Sequence, residues 1–494
     1  LTKINDTLWS MPLVILVLGA GLYFSIRMLF PQFRYLKEMI RNMGQGADSS
    51  KGLSPLRAFI FTAARTVGVG NISGMATAIF FGGPGAVFWF WILALIGSAV
   101  ALIEAILSQT YRQTINGEYR GGPAYYMEHG MKCKPLGRVM AIVFASLTIL
   151  CFVLLAPTTQ SYNITQGIAT AFHLPVVAVG IVFTGFLAFV ILGGLKRIGN
   201  VAQRVSPIMA MLYILMALVI IVMNIKELPG VIALIFKSAF GTDQVFAGIA
   251  GSAISWGIKR GVFANEVGVG SSAVTAAVGE VNHPVKQGLS NAVSVFIGTF
   301  FVCTTSAIMM LMTGCYNVSD GADGLLYEGL PGVAYGNDFV SSAIDTVVPG
   351  LGAPFVAIAI LCFASVALLA YYLYGESSLL YLFPNNKTIH WVMKIVFLVI
   401  IFLGCVLSAD MVWTMGDIGH GVMAWENVIA LLILGNQGVR IFKDYDRQRK
   451  NGVEEPEFDP EALGFDPAEV SETWRKKLHK MLYGGYARKG CIKC

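Results

Sequence analysis

Charged residues are scarce in this sequence. They make up 13% of the 494 residues, about half of the roughly 25% found in soluble globular proteins. Hydrophobic residues reach 55%, with a mean hydropathy of +0.67. The net charge of +6 does not indicate a nucleic-acid partner, because the charges lie at the ends of long apolar runs. The composition excludes an ordinary soluble protein and predicts one that lies in a lipid bilayer and binds no nucleic acid.

Sequence motifs typical of enzymes are also missing. There is no G-x-x-x-x-G-K-[ST] loop, which argues against ATP as an energy source, and no H-E-x-x-H or G-x-S-x-G. The eight cysteines are scattered, mostly in apolar runs where they behave as small hydrophobic residues. The terminal pair Cys491 and Cys494 has no second pair and no histidine at ligand spacing, so it does not predict a metal site. We expect no enzymatic activity and no cofactor.

Long apolar runs are what the sequence has in abundance. A helix that crosses a bilayer needs about 20 mostly apolar residues, and no polar linker divides residues 8–437, which indicates one membrane domain. The eleven predicted spans are 8–30, 56–82, 84–110, 137–160, 174–194, 205–225, 244–266, 288–313, 351–376, 391–409 and 412–435. The fourth span, 137–160, is expected to continue to about residue 172 as a long tilted helix.

The distribution of basic residues predicts the orientation. Lys and Arg concentrate in cytoplasmic loops of membrane proteins. If the N-terminus is outside, only Lys3, Lys226 and Lys237 of the 35 Lys and Arg residues lie in outside segments, and Arg65 lies within a span. The loop 314–350 then also lies outside, and it has acidic residues but no basic one. We therefore expect a multi-pass protein of the plasma (inner) membrane with its N-terminus outside and its C-terminus in the cytoplasm.

Two predicted spans contain glycine and polar residues where an ordinary span is apolar. They are residues 61–83 (FTAARTVGVGNISGMATAIFFGG) and 251–274 (GSAISWGIKRGVFANEVGVGSSAV). Glycine costs about 1 kcal/mol relative to alanine in a helix, and broken backbone at membrane depth persists only where it lines a cavity. The two belong to the second and seventh spans, which are corresponding positions in two halves. Such a pair is the best sequence indication of a transporter's binding site.

The chemistry of two broken helices suits a zwitterion. Half-helix N-termini present N–H groups and a positive dipole end to a carboxylate, while unwound carbonyls supply oxygen to an ammonium group or a small cation. Close helix packing at small residues is the alternative explanation for the glycines. The mid-span residues Arg65, Asn71, Lys259 and Arg260 favour a binding site, because ionisable groups within a bilayer are costly and usually functional.

Other side chains within spans give weaker indications. Gln166, Phe172 and Trp256 are expected to shape a substrate pocket, with a position at a loop end or ordinary packing as the alternatives. Glu104 is expected to pair with a basic residue or to relay a proton. Asp417, near the outer end of the last span, is expected at the membrane interface.

Several runs of residues together resemble a known family, the alanine or glycine:cation symporters. The similarity is carried by VGVGNISGMATAI, GGPGAVFWFWILAL, GEYRGGPAYYMEHG, GIKRGVFANEVGVGSSA, HPVKQGL, YGESSLLYLF and GVMAWENVIALL. These runs cover most of residues 55–435, and the pattern K-R-G-x-F-x-N-E-x-G-x-G-S is long and specific. The V-G-x-G-N of the second span also resembles the neurotransmitter:sodium symporters, which have the leucine-transporter-type fold.

The resemblance implies a fold and a division of the chain. The fold is an all-α polytopic membrane protein of eleven transmembrane helices, with inverted five-helix repeats at spans 2–6 and 7–11 and with discontinuous spans 2 and 7. Residues 1–30 would form an extra N-terminal transmembrane helix and residues 31–438 the leucine-transporter-type transport domain. Residues 439–494 would form a cytoplasmic C-terminal tail, for which a solvated amphipathic helix at the membrane surface is expected.

The resemblance also implies a site. Backbone amides at the break in the second span would bind the substrate carboxylate, and carbonyls and side chains beside them would bind one or two sodium ions. The implied substrate-binding residues are Thr66, Gly68, Val69, Gly70, Asn71, Gln166, Phe172, Trp256, Gly257 and Ile258. The implied metal-binding residues are Ala64, Thr66, Val67, Asn71 and Ser365.

The sequence departs from the family pattern in three places. Val69 stands where the family has a threonine, Gly298 where an aspartate is common, and Val366 and Ala367 where paired hydroxyls are expected beside Ser365. Each change removes an oxygen, and hard cations prefer oxygen ligands. The departures therefore bear directly on sodium binding.

These observations predict a secondary active transporter. The expected function is sodium-coupled uptake of a small neutral amino acid (alanine, glycine or serine) by alternating access. A proton-coupled or uncoupled amino-acid transporter or exchanger with a degenerate sodium site is the alternative that the lost oxygens favour. A membrane receptor or intramembrane enzyme is a third hypothesis, but a receptor would not explain two matched helix breaks. The sequence predicts no oligomeric state.

Overall fold

Helices make up nearly all of the regular structure in the computed structural model, which describes residues 1–42, 68–115, 117–322 and 324–475. The strands form two small antiparallel pairs. In one, β1 (Gln113–Ile115) pairs with β2 (Glu118–Arg120), and in the other β3 (Asn317–Ser319) pairs with β4 (Leu325–Glu328). The α-helices in chain order are α1 (Thr2–Leu8), α2 (Met11–Arg27), α3 (Pro31–Arg34), α4 (Leu36–Asn42), α5 (Val69–Gly82), α6 (Gly85–Tyr111), α7 (Pro123–Gly130), α8 (Lys134–Ile149), α9 (Ala156–Phe172), α10 (Val176–Ile191), α11 (Gly194–Met223), α12 (Leu228–Ala239), α13 (Ala250–Asn265), α14 (Ser271–Ala277), α15 (Pro284–Phe296), α16 (Thr304–Thr313), α17 (Asn337–Asp345), α18 (Gly352–Leu382), α19 (Lys387–Val406) and α20 (Ala409–Lys450).

The helices are long and apolar enough for a multi-pass membrane protein. Among the described residues, seven could cross a bilayer, or eight if α11 and α12, bent by 78° at their junction, form one span. Two shorter apolar helices, α5 and α10, add to these. The prediction of a polytopic all-α protein is thus confirmed, whereas the count of eleven spans and the inverted repeats stay predictions.

Two long spans contain a π-helical segment. The segment Leu150–Leu155 joins α8 to α9, so the fourth predicted span does continue to Phe172 as one helix. Pro157 has no N–H to donate to the carbonyl of Val153, and its ring crowds that carbonyl, which accounts for the altered hydrogen bonding before it. The segment Ile297–Cys303 joins α15 to α16. Such segments in α-helices are frequent at functional sites.

The helices form two groups that meet at the centre of the molecule. In one group α6 packs against α13 and α15, and α5 packs against α13. In the other, α9 packs against α18 and α19, while α10 and α11 pack on α19 and α18. The buried core is continuous between the groups, so residues at their junction are removed from lipid and from water.

The interruption in the seventh predicted span lies late in the segment. The helix α13 runs without a break from Ala250 through Trp256 to Asn265. It ends at Glu266, whose φ is +53°, and Gly268 and Gly270 follow with φ of +78° and +89°. These left-handed conformations cannot continue a helix, and α14 begins directly afterwards. The helix is therefore unbroken at Gly257 and Gly261, where the glycines predicted an interruption, and the discontinuity lies at the end of the predicted span 244–266 and beyond it, at 266–270.

The described part of the C-terminal tail packs on the ends of the helices. The helix α20 extends beyond residue 438 to Lys450. Within residues 451–475, the Trp474 indole donates to the carbonyl of Gln109 at 2.9 Å, and the Ser471 N–H donates to that of Thr110 at 2.9 Å. Phe458, Phe465 and Val470 are buried beside them. A solvated amphipathic helix does not describe residues 451–475, because several apolar side chains gain burial against the protein.

Candidate functional site

The N-terminal end of α5 presents a short run of buried donors. Gly68, the residue before the helix, is extended, and its N–H donates to Oδ1 of Asn71 at 2.9 Å. The Val69 N–H donates to Oε1 of Gln160 at 3.3 Å. The first N–H groups of a helix have no partner within it, and the helix dipole is positive there. This end of α5 therefore favours a negatively charged or strongly polar acceptor.

The beginning of α5 lies directly against the end of α13. A Cβ atom on Gly70 would lie 2.9 Å from Cα of Ala264 and 3.2 Å from Cδ1 of Phe263, so only glycine permits this approach. Because α13 ends one residue later at Asn265, its last carbonyls and its negative dipole end are at the same place. Hydrogen-bond donors of one helix and acceptors of another thus lie side by side, in an arrangement suited to a zwitterion.

Two asparagines, one at the start of α5 and one at the end of α13, donate hydrogen bonds to consecutive residues of one π-helical segment. Nδ2 of Asn71 donates to the carbonyl of Gly298 at 3.2 Å and to Sγ of Cys303 at 3.0 Å. Nδ2 of Asn265 donates to Oγ1 of Thr299 at 2.7 Å. Oδ1 of Asn265 is buried and has no donor among the residues described. An orphaned oxygen of this kind can accept from an ammonium group or bind a small cation.

The second helix group closes the site from the opposite side. Gln160 of α9, which accepts from Val69, donates through Nε2 to the hydroxyl of Tyr371 on α18 at 3.2 Å. The position that a Cβ on Gly68 would take lies 3.5 Å from Cβ of Ala367 and 3.5 Å from Oε1 of Gln160. Both groups of helices therefore contribute to the surroundings of the break.

A buried ion cluster lies beside the junction of α5 and α13. Oδ2 of Asp417 accepts from Nζ of Lys259 at 2.9 Å and from Nη2 of Arg260 at 2.7 Å. The expectation of an interfacial Asp417 was wrong, since this residue is only 2% exposed and its partners lie on another helix. The Arg260 guanidinium also lies 5.2 Å from the ring centre of Trp256 and 4.7 Å from that of Trp413, which favours a cation.

Glu104 is the centre of a second buried polar network. Its Oε2 accepts from the Ser272 hydroxyl, and its Oε1 accepts from Nδ2 of Asn427 at 2.7 Å. Nδ2 of Asn427 also donates to the carbonyl of Gly268 at 2.9 Å, within the interruption that follows α13. The carboxylate therefore links α6, α14 and α20, in contrast to a lipid-facing position.

A polar cavity of about 360 Å³ lies between the second helix group and the segment before α17. Gln166 lines it together with Tyr335, Asn337 and Trp413. The Ser73 hydroxyl, one turn into α5, donates to Oδ1 of Asn337. The cavity thus approaches α5 from the side of the loop 314–350.

The structure brings together only part of the predicted substrate set. Gly68, Val69, Gly70 and Asn71 lie at the break itself. Gln166 lines the cavity instead, and Phe172 is 45% exposed at the end of α9.

The stretch Trp256–Gly257–Ile258 lies away from this position. These residues precede Ala264 by six to eight positions within α13, which places them about 9–12 Å along the helix. Trp256 stacks on Phe81 with ring centres 4.4 Å apart. A Cβ on Gly257 would lie 2.6 Å from the carbonyl oxygen of Ala86, so this glycine permits close helix packing, and Ile258 is buried in the core.

Ser365 faces away from the break. Residues of a helix are rotated by about 100° each, so Ser365 points to nearly the opposite side of α18 from Ala367, which approaches Gly68. Its hydroxyl donates to the carbonyl of Leu361 at 2.5 Å. Ser365 and Val366 line an apolar groove with residues of α10. The other implied metal-binding residues of the second span, Ala64, Thr66 and Val67, and Arg65 as well, lie outside the described residues.

Two residues at the junction were not predicted from the sequence: Gln160 is an amide side chain in the interior of an apolar span, and Thr299 adjoins the Gly298 that departs from the family pattern. A third residue, Asn265, lies in the predicted broken segment 251–274 but was given no role there. A polar amide within a span was the available signal. It did not distinguish Gln160 from Gln166, which lies on the same helix.

Comparison with known proteins identifies the family of the chain. Residues 1–460 match the profile of the Sodium:alanine symporter family. A protein of Bacillus subtilis is 46% identical over 96% of this chain and 97% of its own length. The sodium/proton-dependent alanine carrier protein of a Bacillus species is 41% identical over 90% of this chain and 100% of its own. The sodium/alanine symporter AgcS of Methanococcus maripaludis is 34% identical over 91% and 97%.

Proposed function

The chain belongs to the sodium:alanine symporter family, and from this membership we propose that it takes up a small neutral amino acid together with sodium. It is a multi-pass membrane transporter, an amino-acid symporter and not an enzyme. Alanine, glycine and serine are the proposed substrates.

The observation that carries the proposal is the contact between the start of α5 and the end of α13. The amides of Val69 and Gly70 would bind the substrate carboxylate, and the last carbonyls of α13 would accept from its ammonium group. The Val69 N–H donates to Oε1 of Gln160, and a carboxylate oxygen of the substrate would take the place of that amide oxygen. The approach of Ala367 to Gly68 leaves little room, which favours a small side chain.

The proposed cation position lies between the two asparagines and the π-helical segment Ile297–Cys303. It would use the side-chain oxygen of Asn71 or of Asn265 and the carbonyl of Gly298. The carbonyls of Ala64, Thr66 and Val67 remain proposed ligands. Ser365 is omitted, because its hydroxyl faces the apolar groove. Backbone and amide oxygens would thereby replace the side-chain oxygens that the sequence lost.

Transport would proceed by movement of one helix group against the other. Helices α5, α6, α13 and α15 pack together, as do α9, α18 and α19, and each group takes helices from both predicted repeats. This pairing supports the proposed inverted repeats of spans 2–6 and 7–11. The polar cavity lined by Gln166 would be the outer approach to the site, with the N-terminus outside and the C-terminus in the cytoplasm. Gln166 would act along this route rather than at the break, and Phe172 and Trp256 remain proposed substrate-pocket residues.

Proton coupling is the second candidate. It is favoured by the name of a relative, a sodium/proton-dependent alanine carrier, and by the oxygens lost at Gly298, Val366 and Ala367. In this version the cation position would be degenerate and a proton would supply the driving force.

Uptake of radiolabelled alanine into proteoliposomes separates the candidates. The full chain is compared under an inward sodium gradient, an inward proton gradient at matched membrane potential, and neither gradient. Accumulation driven by sodium supports the first candidate, and accumulation driven only by protons supports the second. Equilibration without accumulation under either gradient contradicts coupled transport.

A further inference from the structure

A groove with a strongly basic lining lies far from the proposed substrate site. It has a volume of about 810 Å³ and lies between the end of α2, the turn from α7 to α8, and α20. Its basic residues are Arg27, Lys132, Arg440 and Lys443, and among the described residues no carboxylate lines it. The groove therefore combines four positive charges without a negative one.

None of these four charges is neutralised by an ion pair in the part of the chain that the structure describes. Within the described residues, the ion pairs include none of the four. Arg27 donates to the hydroxyl of Tyr23 at 2.6 Å, and Arg440 lies 4.5 Å from the ring centre of Phe465. The only acidic residues outside the described ranges are Asp48 and Asp323. The groove consequently favours a negatively charged partner from outside this chain.

The α20 wall of the groove continues into an exposed apolar stripe. Ile429, Ile433, Asn436, Arg440 and Lys443 follow one another at spacings of four and three residues, which places them on one face of the helix. Ile433 is 53% exposed. This face is apolar at one end and basic at the other.

The α8 wall has the same pattern in the opposite chain direction. Lys132 lies just before the helix, and Leu136, Val139 and Val143 follow on one face. Leu136 is 49% and Val139 58% exposed. The two stripes lead from the same basic end, so the surface is complementary to an amphiphile with an anionic head.

We propose that this groove binds the headgroup of an anionic phospholipid, with its acyl chains along the exposed stripes of α8 and α20. A multi-pass protein presents exposed apolar side chains to lipid tails, and basic pockets between spans are suited to lipid phosphates. A soluble anion would use the basic residues but not the stripes. A phospholipid uses both.

Cys133 provides a direct measurement because it is exposed and lines the groove. The full chain is reconstituted in phosphatidylcholine vesicles with and without phosphatidylglycerol. Pulses of an uncharged maleimide are then followed by peptide mass spectrometry of Cys133. We expect slower modification in the vesicles that contain phosphatidylglycerol.

Two variants distinguish the groove from the general charge of the membrane. The double variant Arg440→Gln/Lys443→Gln should lose the protection, because each basic residue near a membrane surface contributes a preference of about fivefold for anionic lipid. Both residues are exposed, so the fold should persist. Lys387→Gln changes an exposed basic residue outside the groove and should label like the wild type.

The proposal is overturned if phosphatidylglycerol does not protect Cys133, or if it protects the double variant equally. Protection by inorganic phosphate in phosphatidylcholine vesicles would also overturn it, in favour of a soluble anion. A second readout is the lipid retained by the purified protein in native mass spectrometry. Retained phosphatidylglycerol that is lost in the double variant supports the proposal even where transport activity is unchanged.

Discussion

Replacing Gly70 by alanine tests the contact that defines the proposed substrate site. The added Cβ would lie 2.9 Å from Cα of Ala264, 3.1 Å from its Cβ and 3.2 Å from Cδ1 of Phe263. Ordinary contact begins at 3.4 Å. Because the nearest atom belongs to the backbone, α5 and α13 must separate by at least about 0.5 Å in an interior that is otherwise close-packed.

Gly74 is the matched control, one turn later on α5. A Cβ there would meet its nearest neighbour, the carbonyl oxygen of Val69, at 3.8 Å, which is ordinary contact. Alanine at position 74 should therefore be neutral or stabilising by up to about 1 kcal/mol, the usual gain over glycine in a helix. Alanine at position 70 should cost about 1–3 kcal/mol through overpacking, which corresponds to a loss of roughly fivefold to a hundredfold in the competent state.

Both variants are compared with the wild type in proteoliposome uptake and in thermal unfolding in detergent. We expect Gly70→Ala to lower the initial rate of alanine uptake strongly, while Gly74→Ala transports normally. Equal uptake by the two variants at equal protein amounts would refute the reasoning, because the approach of α5 to α13 would then be unnecessary for transport.

Four further predictions follow from other contacts. Gln160→Met leaves the Val69 N–H without its acceptor and should destabilise the protein by about 1–3 kcal/mol, measured by thermal unfolding. Gln166→Met, in the outer cavity, should not destabilise it. Equal melting temperatures of the two variants would contradict the role of Gln160 as the acceptor of the Val69 N–H. Asn265→Ala should raise the sodium concentration for half-maximal uptake about tenfold, as expected for loss of about 1.4 kcal/mol of binding, and an unchanged sodium dependence would remove this residue from the cation position. Asp417→Asn leaves two buried cations without a carboxylate and should cost about 3–5 kcal/mol, measured as lost folded protein in fluorescence-detected gel filtration, whereas the exposed Asp410→Asn should be normal. Trp474→Ala should remove about 3–5 kcal/mol of local packing free energy and make residues 451–475 accessible to protease. The control Trp391→Ala changes an exposed side chain and should leave protease resistance unchanged.

The sequence was sufficient for the class of protein and for one half of the site. Apolar runs specify helices that cross a bilayer, and this physical requirement is local, so it can be read without tertiary information. The glycines and Asn71 of the second span also identified the start of α5. Glycine and an amide within an apolar run are costly unless the backbone there has a special conformation or partner.

The position of the second interruption needed the structure. Gly257, Gly261, Gly268 and Gly270 are equivalent as sequence signals. Only the neighbours show that Gly257 permits packing against Ala86, whereas Gly268 and Gly270 adopt positive φ after the helix has ended. The role of a glycine depends on the element opposite to it, which lies far away in sequence.

The surroundings of two polar residues could not be inferred from the sequence for the same reason. Asp417 was expected at an interface because it lies near the end of a span, but Lys259 and Arg260, which neutralise it, lie on another helix. The amide that reaches the break is Gln160 rather than Gln166. These residues differ by six positions on α9, so they point in different directions, and the sequence does not say which direction faces α5.

The attachment of both asparagines to one π-helical segment has a mechanical consequence. Asn71 holds the carbonyl of Gly298, and Asn265 holds the hydroxyl of the next residue, Thr299. A change of this segment from π-helical to α-helical geometry would rotate Gly298 and Thr299 together about the helix axis. The rotation would be about 100°, the angle between successive residues of an α-helix. The start of α5 and the end of α13 are therefore attached to the same segment. A mutation in Ile297–Cys303 that alters its winding should shift substrate affinity and ion dependence jointly rather than one at a time.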